Sequence, residues 1–120
     1  MPTYLVGTRE DHIVPWHSAY ASTRLLKGPL RFVLGRSGHI AGIINPPAKN
    51  KRSYWTNAQV PGDPDAWLAA AEEHPGSWWG DWTTWLAEHA GRRSKSVARL
   101  GSSDYPALEA APGSYVKQRH

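Results

Sequence analysis

A strand, a helix and a second strand follow one another in the first 35 residues, and that succession constrains the fold more than any other feature of the sequence. Thr3-Tyr4-Leu5-Val6-Gly7-Thr8 is a short apolar run that ends abruptly at Arg9-Glu10-Asp11-His12, as a buried strand ends in a loop. Pro15 suits the first turn of a helix, and Trp16, Ala19, Tyr20, Thr23 and Leu26 then recur at three- and four-residue spacing. Gly28-Pro29 stops that helix, because glycine tolerates the left-handed position after a helix and proline cannot continue one. Leu30-Arg31-Phe32-Val33-Leu34 is a second apolar run, followed by the glycine-loosened loop Gly35-Arg36-Ser37-Gly38-His39. This order predicts two parallel strands joined by a right-handed crossover, and hence an α/β fold.

Beyond His39 the chain runs through residues 40–44 into the breaker Asn45-Pro46-Pro47, and Ser53-Tyr54-Trp55-Thr56 reads as one more short extended piece. Pro61-Gly62-Asp63-Pro64 turns into a helix expected over about 65–73, with Asp63 or Asp65 as its cap and Ala69 to Ala71 favouring it intrinsically. Pro75-Gly76 ends it, and Ser77 caps a further helix expected over about 78–90. Trp78, Trp82, Trp85, Leu86 and His89 fall along one face of that helix, so packing against the core is their default role. Trp67 and Trp79 lie off that stripe and read as candidates for an exposed contact or a dimer surface. Residues 91–120 are basic and rich in small side chains, and read as a docked or frayed tail beside a globular portion 1–90.

A chain of 120 residues with a mean hydropathy of -0.57 makes one soluble domain at most. It holds no apolar run of the roughly 18 residues a membrane span requires, and its start lacks the pattern of a signal peptide, so a cytoplasmic location is expected. Cysteine is absent, which excludes disulfides, Cys-ligated zinc and any thiolate nucleophile supplied by these residues. The net charge of +4 argues little for nucleic acid, because basic residues dominate 1–60 and 91–120 while 61–90 holds only acidic ones. The basic cluster Lys49-Asn50-Lys51-Arg52 is short and barely mixed with aromatics.

In an open parallel sheet, catalytic groups collect at the carboxyl ends of the strands. Asp11 lies just past the first strand and His39 just past the second. Neighbouring strands lie about 5 Å apart, close enough for a carboxylate on one loop to accept the imidazole Nδ1–H of the other. That pair is two-thirds of a nucleophile–histidine–acid triad, and acid before histidine is the chain order of the α/β-hydrolase fold. A metal site of Asp11, His12, His17 and His39 is the competing reading, but that spacing fits no zinc signature.

Four longer stretches are more specific than the spacing: Arg9-Glu10-Asp11-His12-Ile13-Val14-Pro15-Trp16, Ser37-Gly38-His39-Ile40-Ala41-Gly42-Ile43, Asn45-Pro46-Pro47-Ala48-Lys49-Asn50-Lys51 and Trp78-Trp79-Gly80-Asp81-Trp82. With them, and to the terminal Ala111-Pro112-Gly113-Ser114-Tyr115-Val116-Lys117, the chain resembles the carboxyl-terminal portion of the class I polyhydroxyalkanoate synthases. The resemblance implies an α/β-hydrolase fold, of which residues 1–90 would be the carboxyl-terminal segment and incomplete alone. It implies an acyltransferase that polymerises (R)-3-hydroxyacyl-CoA, usually the 3-hydroxybutyryl thioester, into a storage polyester with release of CoA. No cofactor is implied. The partners implied are the thioester, the growing polyester at a granule surface, and a second copy in a homodimer.

By the same resemblance Asp11 and His39 match the family's catalytic aspartate and histidine. In that family the histidine activates a cysteine in a Gly-x-Cys-x-Gly box, since the thiolate is the nucleophile. The aspartate either orients the histidine or acts as base toward the 3-hydroxyl of the incoming unit. The present sequence has neither that cysteine nor a Gly-x-Ser-x-Gly, so the 120-residue chain is expected to be inactive by itself and to expose an apolar strand edge. Two other readings stand beside it: a polyester-binding module without chemistry, and a piece of another α/β-hydrolase such as a thioesterase or depolymerase.

Overall fold

The computed structural model describes residues 1–119. Two compact units divide them, 1–90 and 91–119. In the first, strands β1 (Thr3–Thr8), β2 (Leu30–Gly35), β3 (Ser53–Thr56) and β4 (Glu72–Pro75) form one sheet in that order. β1 and β2 are parallel, whereas β2–β3 and β3–β4 are antiparallel, so the sheet is mixed. Four helices accompany it: α1 (Trp16–Ala21), α2 (His39–Ile44), α3 (Pro64–Ala69) and α4 (Trp79–His89).

The pleat sorts the side chains of the parallel pair onto two faces. Leu5 lies opposite Phe32, and both join the aromatic core with Leu34 and Trp55. Trp16 and Tyr20 of α1 and Trp67 of α3 complete that core; Phe32, Tyr20 and Trp67 are fully buried. Phe32 meets Tyr20 and Trp67 edge-on, with ring centroids 4.8 and 5.0 Å apart, an arrangement favoured by the ring quadrupoles. The Tyr20 hydroxyl donates to the Pro61 carbonyl at 2.6 Å, which anchors the loop leading into α3.

The alternate positions, Tyr4 opposite Arg31, face α4. The Arg31 guanidinium forms a two-pronged ion pair with Asp81 of α4, and the Tyr4 hydroxyl donates to the same carboxylate at 2.7 Å. Burial first, then the hydrogen bond to Asp81, pushes the Tyr4 phenol far above its ordinary value, so it remains a donor. The Tyr4 ring also packs on Trp78 and Trp85, at centroid distances of 6.3 and 5.3 Å.

Several elements differ from the sequence reading. The helix expected over 65–73 ends at Ala69, and its last residues become β4. Pairing wins over the helix propensity of the alanines because His74 lies opposite Tyr54 and takes a hydrogen bond with Thr56 at 2.8 Å. The sheet therefore has four strands, where the sequence supports two and one further extended piece. The helix expected over 15–26 closes at Ala21 and continues only as a 3-10 turn over Ser22–Arg24. Trp67, proposed for a surface, lies at the centre of the core, and its indole N–H has no hydrogen-bond partner there. The tryptophan stripe of α4 is only half covered: Trp82 and Trp85 are half-buried, and Leu86 is exposed.

In the second unit, residues 91–119, regular structure is limited to one 3-10 turn over Tyr115–Lys117 and a bridge between Gly101 and Pro106. No helix among the described residues is long and apolar enough to cross a membrane.

Trp67→Ala is expected to destabilise the first unit by about 3–5 kcal/mol, as for other large aromatic truncations. Trp67→Phe should cost less, because the N–H it deletes is unpaired. Urea titration followed by tryptophan fluorescence reads both.

Candidate active site

The two loops that carry Asp11 and His39 are zipped together by backbone hydrogen bonds that extend the strand pairing. Arg9 N donates to Gly35 O at 2.9 Å, and Glu10 N to Ser37 O at 3.1 Å. Ser37 adopts a left-handed backbone, φ 92°, unusual for a residue with a side chain; that turn brings the chain from β2 into α2. The Arg9 guanidinium lies over the Trp55 ring, 5.1 Å from its centroid, and secures the first loop.

Asp11 is held on both oxygens. Its Oδ1 accepts the backbone N–H groups of Ile13 and Val14, each at 2.9 Å. Its Oδ2 accepts the Thr8 hydroxyl at 3.2 Å and lies 2.7 Å from Nδ1 of His39. Burial opposes the charge, but the Val14 N–H, the His39 imidazole and the Ile13 N–H outweigh it and hold the carboxyl well below the usual carboxylate range. The acid is enclosed, with its side chain 7% exposed, whereas the His39 side chain is 43% exposed. Nε2 of His39 has no hydrogen bond among the described residues.

His39 is not in a loop, as its sequence position implied, but opens helix α2. Nothing local announces this helix, because Ile40-Ala41-Gly42-Ile43-Ile44, with three β-branched residues and a glycine, carries a weak helix signal. Gly42 is needed for contact: a Cβ there would lie 2.4 Å from Cγ2 of Thr8. The absence of that side chain lets α2 settle on the end of β1, next to the residue whose hydroxyl bonds Asp11.

The other candidates lie elsewhere. His17 pairs with Asp65 at 3.1 Å, between α1 and α3. His12 is exposed and makes no hydrogen bond among the described residues, where no three imidazole or carboxylate groups converge to hold a metal. A groove of about 510 Å³, lined by Arg36, Arg52, Ser53, Glu73 and Pro75, opens beside the ends of β2 and β4. A second one of about 300 Å³ shares Arg52 and adds Lys49 and Lys51. Neither is lined by Asp11 or His39, and both are cationic.

By sequence identity the chain is homologous to a portion of the poly(3-hydroxyalkanoate) polymerases. It is 63% identical over 119 residues to the poly(3-hydroxyalkanoate) polymerase subunit PhaC of Cupriavidus necator, a match over 99% of this chain and 20% of that protein. It is 50% identical over 115 residues to poly(3-hydroxyalkanoate) polymerase 1 of Ectopseudomonas oleovorans, again over 20% of the relative, and 44% identical to the subunit PhaC of Rhizobium etli, over 19%. The chain thus spans about a fifth of the length of these curated relatives. No protein-family model matches it.

The depressed Asp11 pKa has a definite sign in stability. A carboxyl with a folded-state pKa below its unfolded value near 4 stabilises the fold fully above that value, and the contribution is lost as pH falls toward the folded pKa. The unsubstituted chain should therefore unfold at higher urea than Asp11→Asn at pH 7, and the gap should narrow below about pH 4.

Proposed function

We propose that the chain is the acid–histidine portion of a polymerase that transfers (R)-3-hydroxyacyl groups from CoA thioesters to a growing polyester. The observation that carries this reading is the 2.7 Å contact between His39 Nδ1 and Asp11 Oδ2, with Nε2 left unbonded. An imidazole so held presents a basic nitrogen to an incoming proton. The homology to polymerases supports the substrate class.

In this mechanism the nucleophile is a cysteine thiol from outside these 120 residues, which contain none. Nε2 of His39 takes the thiol proton as sulfur attacks the thioester carbonyl. The new carbon–sulfur bond forms, the bond to CoA breaks, and the departing CoA thiolate recovers the proton. Nε2 of His39 then takes the proton of the 3-hydroxyl of a further unit as its oxygen attacks the enzyme-bound acyl carbonyl; the ester carbon–oxygen bond forms, the carbon–sulfur bond to the cysteine breaks, and the departing thiolate recovers the proton, which extends the chain by one ester.

Of the two roles open to Asp11, orientation of His39 is the one its surroundings favour. Each of its oxygens already accepts two hydrogen bonds, and a carboxylate so satisfied is a weak base. Lys49, Lys51 and Arg52, in the groove that α2 also lines, would draw the phosphates of CoA. A granule surface, where the product accumulates, is the place of action this reading implies, with residues 91–120 as a basic appendage to the catalytic segment.

The test is a chimera in which this chain replaces the matching segment of the Cupriavidus necator polymerase. The chimera should release CoA from 3-hydroxybutyryl-CoA, and His39→Ala should reduce its kcat at least 10³-fold, as removal of a catalytic base does in other triads. Asp11→Asn should lower it by at least 10²-fold. The 120-residue chain alone should release none; turnover by it, or full activity of His39→Ala, overturns the reading.

A further inference from the structure

Helix α2 sets the position of His39, yet it has little of its own to hold it in place. Six residues make less than two turns, and the carbonyls at its carboxyl end have no partners within the helix. Its apolar side chains do not anchor it either: Ile40, Ile43 and Ile44 are 66, 37 and 57% exposed.

Three consecutive residues at the start of α4 supply what it lacks. The Trp78 indole N–H donates to Gly42 O at 3.1 Å, and the Trp79 indole N–H to Ile43 O at 3.1 Å. The Ser77 hydroxyl donates to Asn45 O, just past the helix, at 2.6 Å. The triplet is itself fixed. Ser77 N is bonded to the Asn50 side chain at 3.0 Å, and α4 is pinned to the sheet by Asp81 with Arg31 and Tyr4.

We propose that Ser77, Trp78 and Trp79 are positioning residues for the reaction: they hold the carboxyl end of α2 so that its first residue, His39, stays in register with Asp11. The chain of contact runs from the sheet through Asp81 to the start of α4, from there to the α2 carbonyls, and one helical turn back to the imidazole. Gly42, pressed against Thr8, makes the other side of the clamp. This inference rests on the reading of His39 as the working base.

The experiment uses the same chimeric polymerase with Ser77→Ala and with Trp78→Phe/Trp79→Phe, which remove the donors and keep a side chain in place. Trp82→Phe, which deletes an indole outside the triplet, is the control. Each triplet variant should lower kcat roughly tenfold with KM for 3-hydroxybutyryl-CoA unchanged, as a small misplacement of a catalytic group does. Ser77→Thr, which keeps the hydroxyl donor to Asn45 O, should retain kcat. Trp82→Phe should change neither kcat nor KM. Unchanged kcat in the triplet variants overturns the inference, as does a fall in Tm and activity that Ser77→Thr shares, which assigns the triplet to packing alone. Those results leave the acid–histidine reading standing. An unsubstituted chimera that is inactive, or one that tolerates His39→Ala, overturns that reading and the inference with it.

Discussion

The parallel pairing of β1 with β2 is the constraint on which the rest depends. Its register runs from Thr3 opposite Leu30 to Thr8 opposite Gly35, so both strands end at the same level. The Arg9–Gly35 and Glu10–Ser37 backbone bonds carry that alignment two residues further. A slip of one residue would exchange the two faces of β2, sending Phe32 toward α4 and Arg31 into the aromatic core. The same slip would separate Asp11 from His39, so the pleat that builds the core also sets the acid against the imidazole.

The two faces of the sheet are held by different physics. On one, Trp16, Tyr20, Phe32, Trp55 and Trp67 exclude water with large apolar area and edge-on ring contacts. On the other, a half-buried ion pair between Arg31 and Asp81, completed by the Tyr4 hydroxyl, fixes one helix at one height. Such a pair adds little net stability once desolvation is counted, but removal of one partner leaves a charge stranded. Its value here is geometric, since α4 in turn reaches the carbonyls of α2.

Legibility in the sequence followed the strength of local signals. β1 and β2 were readable because apolar runs bounded by charge and by Gly28-Pro29 have few other interpretations, and their order placed Asp11 and His39 at neighbouring strand ends. β4 was not readable: Glu72-Glu73-His74-Pro75 has no apolar alternation, and only its partner β3 makes it a strand. Helix α2 was hidden for the converse reason, because its glycine and isoleucines disfavour a helix that tertiary contacts impose. Trp67 reads as a surface candidate because it lies off the stripe that helix spacing marks on α4, whereas the core is built from α1, α3 and the sheet. The hydrogen bonds from Trp78 and Trp79 to α2 join residues 36 apart and leave no local signature.

The fold itself, without substrate, holds the His39 imidazole on the Asp11 carboxylate. Proton NMR of the chain with ¹⁵N-labelled histidine tests it most directly. An imidazole Nδ1–H shared with a carboxylate at 2.7 Å is shielded from exchange and resonates far downfield of ordinary amides. One such signal is expected, assigned to His39 and abolished by Asp11→Asn, in a chain whose amide spectrum stays dispersed. A dispersed spectrum with no downfield imidazole signal, or one indifferent to Asp11→Asn, would contradict it.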